Sequence, residues 1–249
     1  MTEMSANAFA LIESRHRALL VPLRFFRSRT RVGANAVMLL IGALAFAVPF
    51  ILTLYAQQVL GYSAVQFGVG SVVLAIGVAV GAIVGQAAVL KLGLRPVAAT
   101  GLALVGAGSL LLTQVSVGGS YFADIFFGVL VVGPGIGLAF VTATVAALGG
   151  VAEHEAGLAS GLSNTATQIG GALGVAIATT VAVSRSHDYL AANEGANPLV
   201  VLNEGYQSAF LACVVLAGIG LALALLLLGR PRREPHEPID AVSVPSKSD

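Results

Sequence analysis

The sequence has 249 residues, of which 57% are hydrophobic and only 10% are charged, and its net charge is +1. Soluble domains carry roughly 25% charged residues, so this composition excludes a water-soluble globular protein and leaves lipid as the solvent for its surface. The net charge says nothing about partners, and we expect no nucleic-acid partner. The single cysteine, Cys213, excludes an intrachain disulfide, and no Cys/His spacing resembles a metal site.

Six apolar stretches are each long enough to cross a bilayer, which takes about 20 residues in a helix. Backbone amides in lipid must be bonded internally, so these stretches are helices. We therefore predict an all-α integral membrane protein with about six transmembrane helices. A basic cytoplasmic segment, 1–33, precedes the 34–229 bundle, and a polar tail, 230–249, follows it as disordered chain. The six predicted spans are 34–57, 66–90, 96–117, 121–148, 158–183 and 208–229.

The basic residues are distributed unevenly between the two sides that such a topology creates. Six arginines precede the first span, two basic residues lie between the second and third, and four follow the sixth. Only Arg185 falls on the opposite side. Because Lys and Arg are retained in the cytoplasm, both termini are predicted to be cytoplasmic, in the plasma membrane.

The fifth span carries a stripe of small and polar residues at alternating spacings of four and three. Such a stripe either packs against another helix, where small residues allow close approach, or contacts a ligand. Both interpretations stay open, since one stripe can do both at different depths. Its members are Gly157, Gly161, Asn164, Gln168, Gly171 and Val175, and the neighbouring stripe contains Ser160, Ser163, Thr167, Gly170 and Gly174.

The second and fourth spans are rich in glycine. The fourth contains Gly133, Pro134, Gly135 and Gly137 within one turn and a half. Proline removes a backbone donor and bends a helix, so this segment predicts either a static kink or a hinge. The second contains a doubled G-x-x-x-G pattern, which favours close helix packing.

Few residues within the spans suggest chemistry. Asp124, near the outer end of the fourth span, is a candidate for proton coupling, although its shallow position weakens that role. Gln57, with Gln58, ends the first span and is either interfacial or a substrate contact. No nucleophile–base pair, phosphate loop or metal cluster is recognisable, so we expect no enzyme activity and no cofactor.

Several motifs, in order, resemble the C-terminal half of drug:proton antiporters of the major facilitator superfamily, in the fourteen-helix EmrB/QacA-type branch. The resemblance covers roughly residues 8–229. The motifs are PLRFFR at 22–27, LYAQQVLGYS at 54–63 with Gly68, EAGLASG at 155–161, Asn164-Thr165, Gln168, and GGALG at 170–174.

The resemblance implies half of a major facilitator fold, built from two inverted three-helix repeats. It implies proton-coupled efflux of small organic compounds when a second six-helix half is present. The implied substrate path includes Asn164, Thr167, Gln168 and Gln57. Two family motifs are incomplete here. Residues 91–95 resemble the family's loop motif without the expected Asp, and 135–137 resemble its fourth-helix motif without the expected Arg, so the roles of those motifs are not expected in this chain.

The sequence has about half the length expected for a complete family member, and residues 8–13 look like the end of a preceding helix. We therefore expect a C-terminal half-transporter, as a truncated product, one of a split pair, or a half that dimerises. The alternative is a non-transporting membrane subunit that assembles with another membrane protein. A polar-lined cavity would favour the transporter, and small residues without a cavity would favour the subunit.

Overall fold

The computed structural model describes residues 29–149, 151 and 155–228, and within them the chain is entirely helical apart from its connections. The predictions for 1–28 and 229–249 lie outside this part. Six helices are long and apolar enough to cross a membrane, which confirms the predicted fold class. They are α1 (Arg29–Gln58), α2 (Ala64–Leu92), α3 (Leu94–Leu112), α4 (Phe126–Leu148), α5 (Ala156–Ala192) and α6 (Pro198–Leu227), and a π-helical turn, Tyr121–Ile125, leads into α4.

Several predicted helix boundaries were wrong. The third span ends at Leu112 rather than at 117, and the turn after it uses Gly118 at a φ of +86°. The fifth and sixth helices are longer than their apolar stretches, because they continue as a polar hairpin beyond position 183. Arg185, predicted to lie in a connector, is inside α5 and pairs with Glu204 of α6 at 3.2 Å. Hydropathy marks the part of a helix that lipid surrounds, not the point where the helix ends.

Side-chain caps define the helix starts at one end of the bundle. Ser63 and Gln66 form a reciprocal capping box at the start of α2, which satisfies two otherwise unpaired amides. Asn197 accepts a hydrogen bond from the Leu199 amide, and Pro198 occupies the first turn of α6. We call this end, which holds connections 59–63, 113–120 and 193–197, the distal end, because the described chain begins at Arg29 and ends at Leu228 at the opposite end.

The contacts of α2 and α3 with α4 are repeated by the contacts of α5 and α6 with α1. Helix α2 lies along α4 as α5 lies along α1, while α3 packs on α4 as α6 packs on α1. Both long contacts depend on glycine. A Cβ at Gly81 of α2 would lie 2.7 Å from the Pro134 Cα of α4, and one at Gly170 of α5 would lie 2.7 Å from the Leu39 carbonyl carbon of α1. The architecture is a pair of inverted three-helix repeats.

The outer surface of the bundle is strongly apolar. On α2, for example, Val69 is 70% exposed, Ile83 72% and Leu90 87%. A contiguous apolar surface of this kind is unfavourable in water, whereas lipid solvates it. The chain is therefore a multi-pass membrane protein.

Candidate functional site

The small residues of α5 that face α1 form a packed contact. Ser163 and Thr167 are 5% and 9% exposed. Thr167 donates its hydroxyl to the Ser163 carbonyl at 2.9 Å, and the Ser163 hydroxyl lies 3.3 Å from Asn35 Oδ1 on α1. Predicted as a substrate contact, Thr167 sits mainly inside this helix contact, with one edge at the cleft described next.

The neighbouring stripe of α5 is open. Gly157, Gly161, Asn164 and Gln168 are exposed, and a Cβ on either glycine would meet no other atom within 4 Å. A cleft of about 240 Å³ lies beside Asn164, between α1, α4 and α5. Its walls combine hydroxyl, amide and apolar groups. They are Met38, Phe140, Thr144, Leu148, Ser160, Ser163, Asn164 and Thr167.

Aromatic side chains border the same surface. Phe140 lines the cleft and is 43% exposed, and Phe46 of α1 is 47% exposed. The Phe46 ring lies against Gly171 of α5, where a Cβ would come within 2.8 Å of it. Phe50 follows Phe46 by one turn on α1 and is 40% exposed. The sequence prediction missed these residues, because an apolar side chain in a span carries no signal that distinguishes a cleft from lipid.

Asp124 lies in a hydrogen-bonded network at the distal end. The hydroxyl of the fully buried Tyr55 is 3.1 Å from Asp124 Oδ2 and 2.9 Å from the Ser116 carbonyl. The Ser116 hydroxyl is 3.4 Å from Asp124 Oδ1. Asp124 therefore joins α1 to the connection between α3 and α4, and its carboxylate has partners in both.

Polar residues of α6 extend this network. Asn203 and Gln207 both donate side-chain N–H groups to the Val115 carbonyl, at 3.1 and 2.7 Å. The Tyr206 hydroxyl donates to Gln58 Oε1 at 2.7 Å. Gln57, the predicted substrate contact, is exposed at the same end, away from the cleft at Asn164. The structure thus brings Asn164 and Thr167 together, with Gln168 one turn beyond Asn164, and leaves Gln57 separate.

The glycine- and proline-rich segment of α4 is enclosed by two helices. Helix α4 runs continuously through Pro134. A Cβ at Gly133 would lie 3.1 Å from the Gly77 Cα of α2, and one at Gly135 would lie 2.8 Å from the Gly101 carbonyl oxygen of α3. The segment is therefore a site of close helix approach, and a hinge there stays a prediction.

A family model described as Major Facilitator Superfamily matches residues 5–175. The chain belongs to the major facilitator superfamily. It is a membrane protein of a transporter family and not an enzyme. Within the described residues, no three His, Cys, Asp or Glu side chains are grouped to hold a metal ion.

Relatives of this major facilitator chain have names that refer to antibiotics. The puromycin resistance protein of Streptomyces alboniger is 33% identical over 88% of this chain and 44% of its own length. The lincomycin resistance protein of Streptomyces lincolnensis is 31% identical over 92% of this chain and 44% of its own. The cephamycin export protein of Amycolatopsis lactamdurans is 36% identical over 70% and 36%. The chain spans less than half the length of these relatives.

Proposed function

We propose that this chain is the C-terminal half of a drug efflux transporter of the plasma membrane, in the fourteen-helix branch. The observation that carries the proposal is the open cleft between α1, α4 and α5, where Asn164 and Thr144 lie beside Phe140. The names of the relatives, which refer to resistance and export, support the same direction. A non-transporting subunit is less favoured, because a subunit of that kind is expected to show small residues without a polar cavity, and this chain has a polar-lined cleft.

The composition of the cleft supports a substrate class. Binding sites for small molecules combine mostly apolar walls with a few placed polar groups. Here the Asn164 amide and the Ser160 and Thr144 hydroxyls lie among Phe140, Met38 and other apolar groups. A compound with rings and a few hydrogen-bonding groups suits these walls. The volume of about 240 Å³ is below the roughly 300–1,000 Å³ of typical ligand pockets. A smaller volume is expected if this half forms only one wall of the complete site.

A second six-helix half would supply the other wall. Asn164 and Gln168 are exposed on a bundle that lipid surrounds. Burying a polar group without a partner costs about 1–3 kcal/mol by protein mutational measures, so these side chains favour association with another polar surface. With both termini cytoplasmic, the partner is either another chain or a second copy related by a two-fold axis along the membrane normal.

We propose that Asp124 couples transport to the proton gradient. It lies at the distal end, away from the cleft. Its bond to Tyr55 links it to α1, which also borders the cleft. Coupling through one shallow carboxylate is expected to be weak. Removal of the Asp124 carboxylate should therefore reduce gradient dependence without preventing substrate binding.

The test is reconstitution into liposomes with an imposed pH gradient and a drug-like fluorophore. We compare the chain alone with the chain paired with the N-terminal half of the puromycin resistance protein. Transport is expected only for the pair, with about a tenfold lower rate for Asn164→Leu, which corresponds to about 1.4 kcal/mol. Asp124→Asn should reduce the gradient dependence. Thr165→Val, on the adjacent face of α5, is the control.

Transport by the chain alone that tolerates Asn164→Leu would contradict both the pairing and the cleft. A pair that assembles, as judged by co-purification, but moves no fluorophore under any gradient would contradict the transport proposal itself. If Thr165→Val reduced transport as much as Asn164→Leu does, the effect would come from changing the exposed surface of α5 and not from the cleft.

A further inference from the structure

A second and larger cavity lies at the distal end, between α1, α5 and α6. Its volume is about 360 Å³, which is within the range of small-molecule sites. It is separate from the cleft at Asn164, with which it shares no lining residue. Its mouth is marked by exposed side chains, Gln58, Val183 and His187.

The cavity walls are mainly apolar. Ile51 and Leu54 come from α1, Val183 from α5 and Leu202 from α6. The lining contains no Asp, Glu, Lys or Arg side chain, and His187 is at the mouth. The nearby Arg185 and Glu204 are bonded to each other at 3.2 Å.

One hydroxyl in this wall has no partner. Thr179 Oγ1 is buried, and no acceptor or donor among the described residues bonds to it. Two other threonines of α5 behave differently. Thr165 and Thr167 each donate to the carbonyl four residues earlier, at 2.9 Å. The Thr179 hydroxyl does not use its own backbone in this way. Its oxygen has almost no accessible surface, so it meets a ligand in the cavity only after the side chain turns about χ1.

A second donor is held in the same wall. Gln58 Oε1 accepts from the Tyr206 hydroxyl at 2.7 Å, which fixes the side-chain amide between α1 and α6. The amide nitrogen donates to no acceptor among the described residues. Gln58 and Thr179 therefore bring two unpaired hydrogen-bond donors to a mainly apolar volume, and this combination recognises an acceptor on an apolar body.

We propose that this cavity binds a small uncharged amphipathic compound. Its apolar part lies against Ile51, Leu54 and Val183, and its carbonyl or ether oxygen accepts from the Thr179 hydroxyl once that side chain has turned toward the cavity. A charged ligand is disfavoured, because the lining offers no counter-charge to offset its desolvation. The site lies inside one six-helix half, so it is independent of the proposed transport and of any second half.

The experiment uses benzophenone as the probe, since it is uncharged, has two apolar rings and one carbonyl acceptor, and forms covalent adducts under ultraviolet light. The full chain in lipid nanodiscs is irradiated over a range of benzophenone concentrations, and adducts are located by peptide mass spectrometry. We expect saturable adducts on Ile51, Leu54 and Val183. Thr179→Val, which preserves shape, should reduce them at least fivefold at a subsaturating concentration.

Two further variants make the result specific. Val183→Trp narrows the mouth from an exposed position and should also reduce the cavity adducts at least fivefold. Thr180→Val changes the adjacent, exposed threonine outside the cavity and should leave them unchanged. The buried Cys213 serves as a folding check, because its thiol should stay unreactive in every variant.

The proposal is overturned if cavity adducts increase linearly without saturation, as they would for a probe dissolved in lipid. It is also overturned if Thr179→Val labels like the unchanged chain, or if the adducts are no denser in the cavity than on the lipid-facing Leu173 and Ile177. None of these outcomes bears on transport, which the liposome assay measures separately.

Discussion

The contact between α2 and α4 allows a graded test of how closely the two repeats are held together. An alanine Cβ at Gly81 would lie 2.7 Å from the Pro134 Cα. Non-bonded carbons prefer a separation of about 3.5–4.0 Å, so Gly81→Ala requires the helices to separate by about 1 Å. The obstacle is backbone rather than a flexible side chain, and overpacking of this kind costs about 1–3 kcal/mol.

Two other glycines provide the comparison. A Cβ at Gly85 would lie 3.3 Å from the Leu138 Cα, so Gly85→Ala should cost less than Gly81→Ala. A Cβ at Gly218 of α6 would meet no atom within 4 Å, so Gly218→Ala should be close to neutral. The expected order of destabilisation is therefore Gly81, Gly85, Gly218.

The assay uses the single cysteine. Cys213 is fully buried, so a maleimide fluorophore reacts with it only as the bundle unfolds. In soluble proteins of this size, 1 kcal/mol of stability corresponds to about 2–4 °C in the midpoint of thermal unfolding. Gly81→Ala should therefore lower the temperature at which half of the Cys213 thiols react by about 2–12 °C. A Gly81→Ala midpoint equal to that of Gly218→Ala would refute the close approach of α2 and α4.

Three further predictions concern topology, the open stripe and the distal network. An alkaline phosphatase fused after Gly229 should be inactive in cells, because both termini are predicted to be cytoplasmic; activity there would reverse the topology. In a Cys213→Ala background, Asn164→Cys should react with a water-soluble maleimide when a second half is present, because the proposed path between the halves holds water, whereas labelling only by a lipid-phase reagent in that pair would contradict its proposed path role. Tyr55→Phe removes the bonds to Asp124 and Ser116 and should lower stability by about 0.6 kcal/mol, the average for buried polar bonds between membrane helices. The midpoint temperature of Cys213 reactivity measures this loss, and an unchanged midpoint would mean that the network contributes nothing to stability.

The sequence predicted the six helices because each span must be a continuous apolar run, and lipid enforces that requirement independently of tertiary contacts. It could not predict how far α5 continues, because the helix leaves lipid before it ends, and the residues after Val183 are held by α6 instead. The Ser186 hydroxyl, for example, donates to the Val201 carbonyl at 3.1 Å. That contact depends on how α5 and α6 pack in the folded hairpin, and hydropathy alone does not predict it.

The candidate site was predictable only in its polar half. The spacing of Asn164 and Gln168 identifies one face of α5, since small and polar residues are rare enough in a span to mark a stripe. The spacing does not say which of two adjacent stripes is packed, and the structure places Thr167 in the packed one. Phe46 and Phe140 were not predicted, because the position of Phe140 beside Asn164 and of Phe46 beside Gly171 depends on how α1 and α4 pack against α5.

The length of α5 has a practical consequence for imaging this protein. Its 37 residues span about 55 Å at 1.5 Å per residue, which exceeds the roughly 30 Å hydrocarbon thickness of a bilayer even when the helix is strongly tilted. The excess turns, paired with the start of α6, form a polar overhang on the distal side. An antibody fragment directed at this overhang would give particles of a 25.1 kDa protein a rigid marker for alignment, fixed to the same helix that carries Asn164.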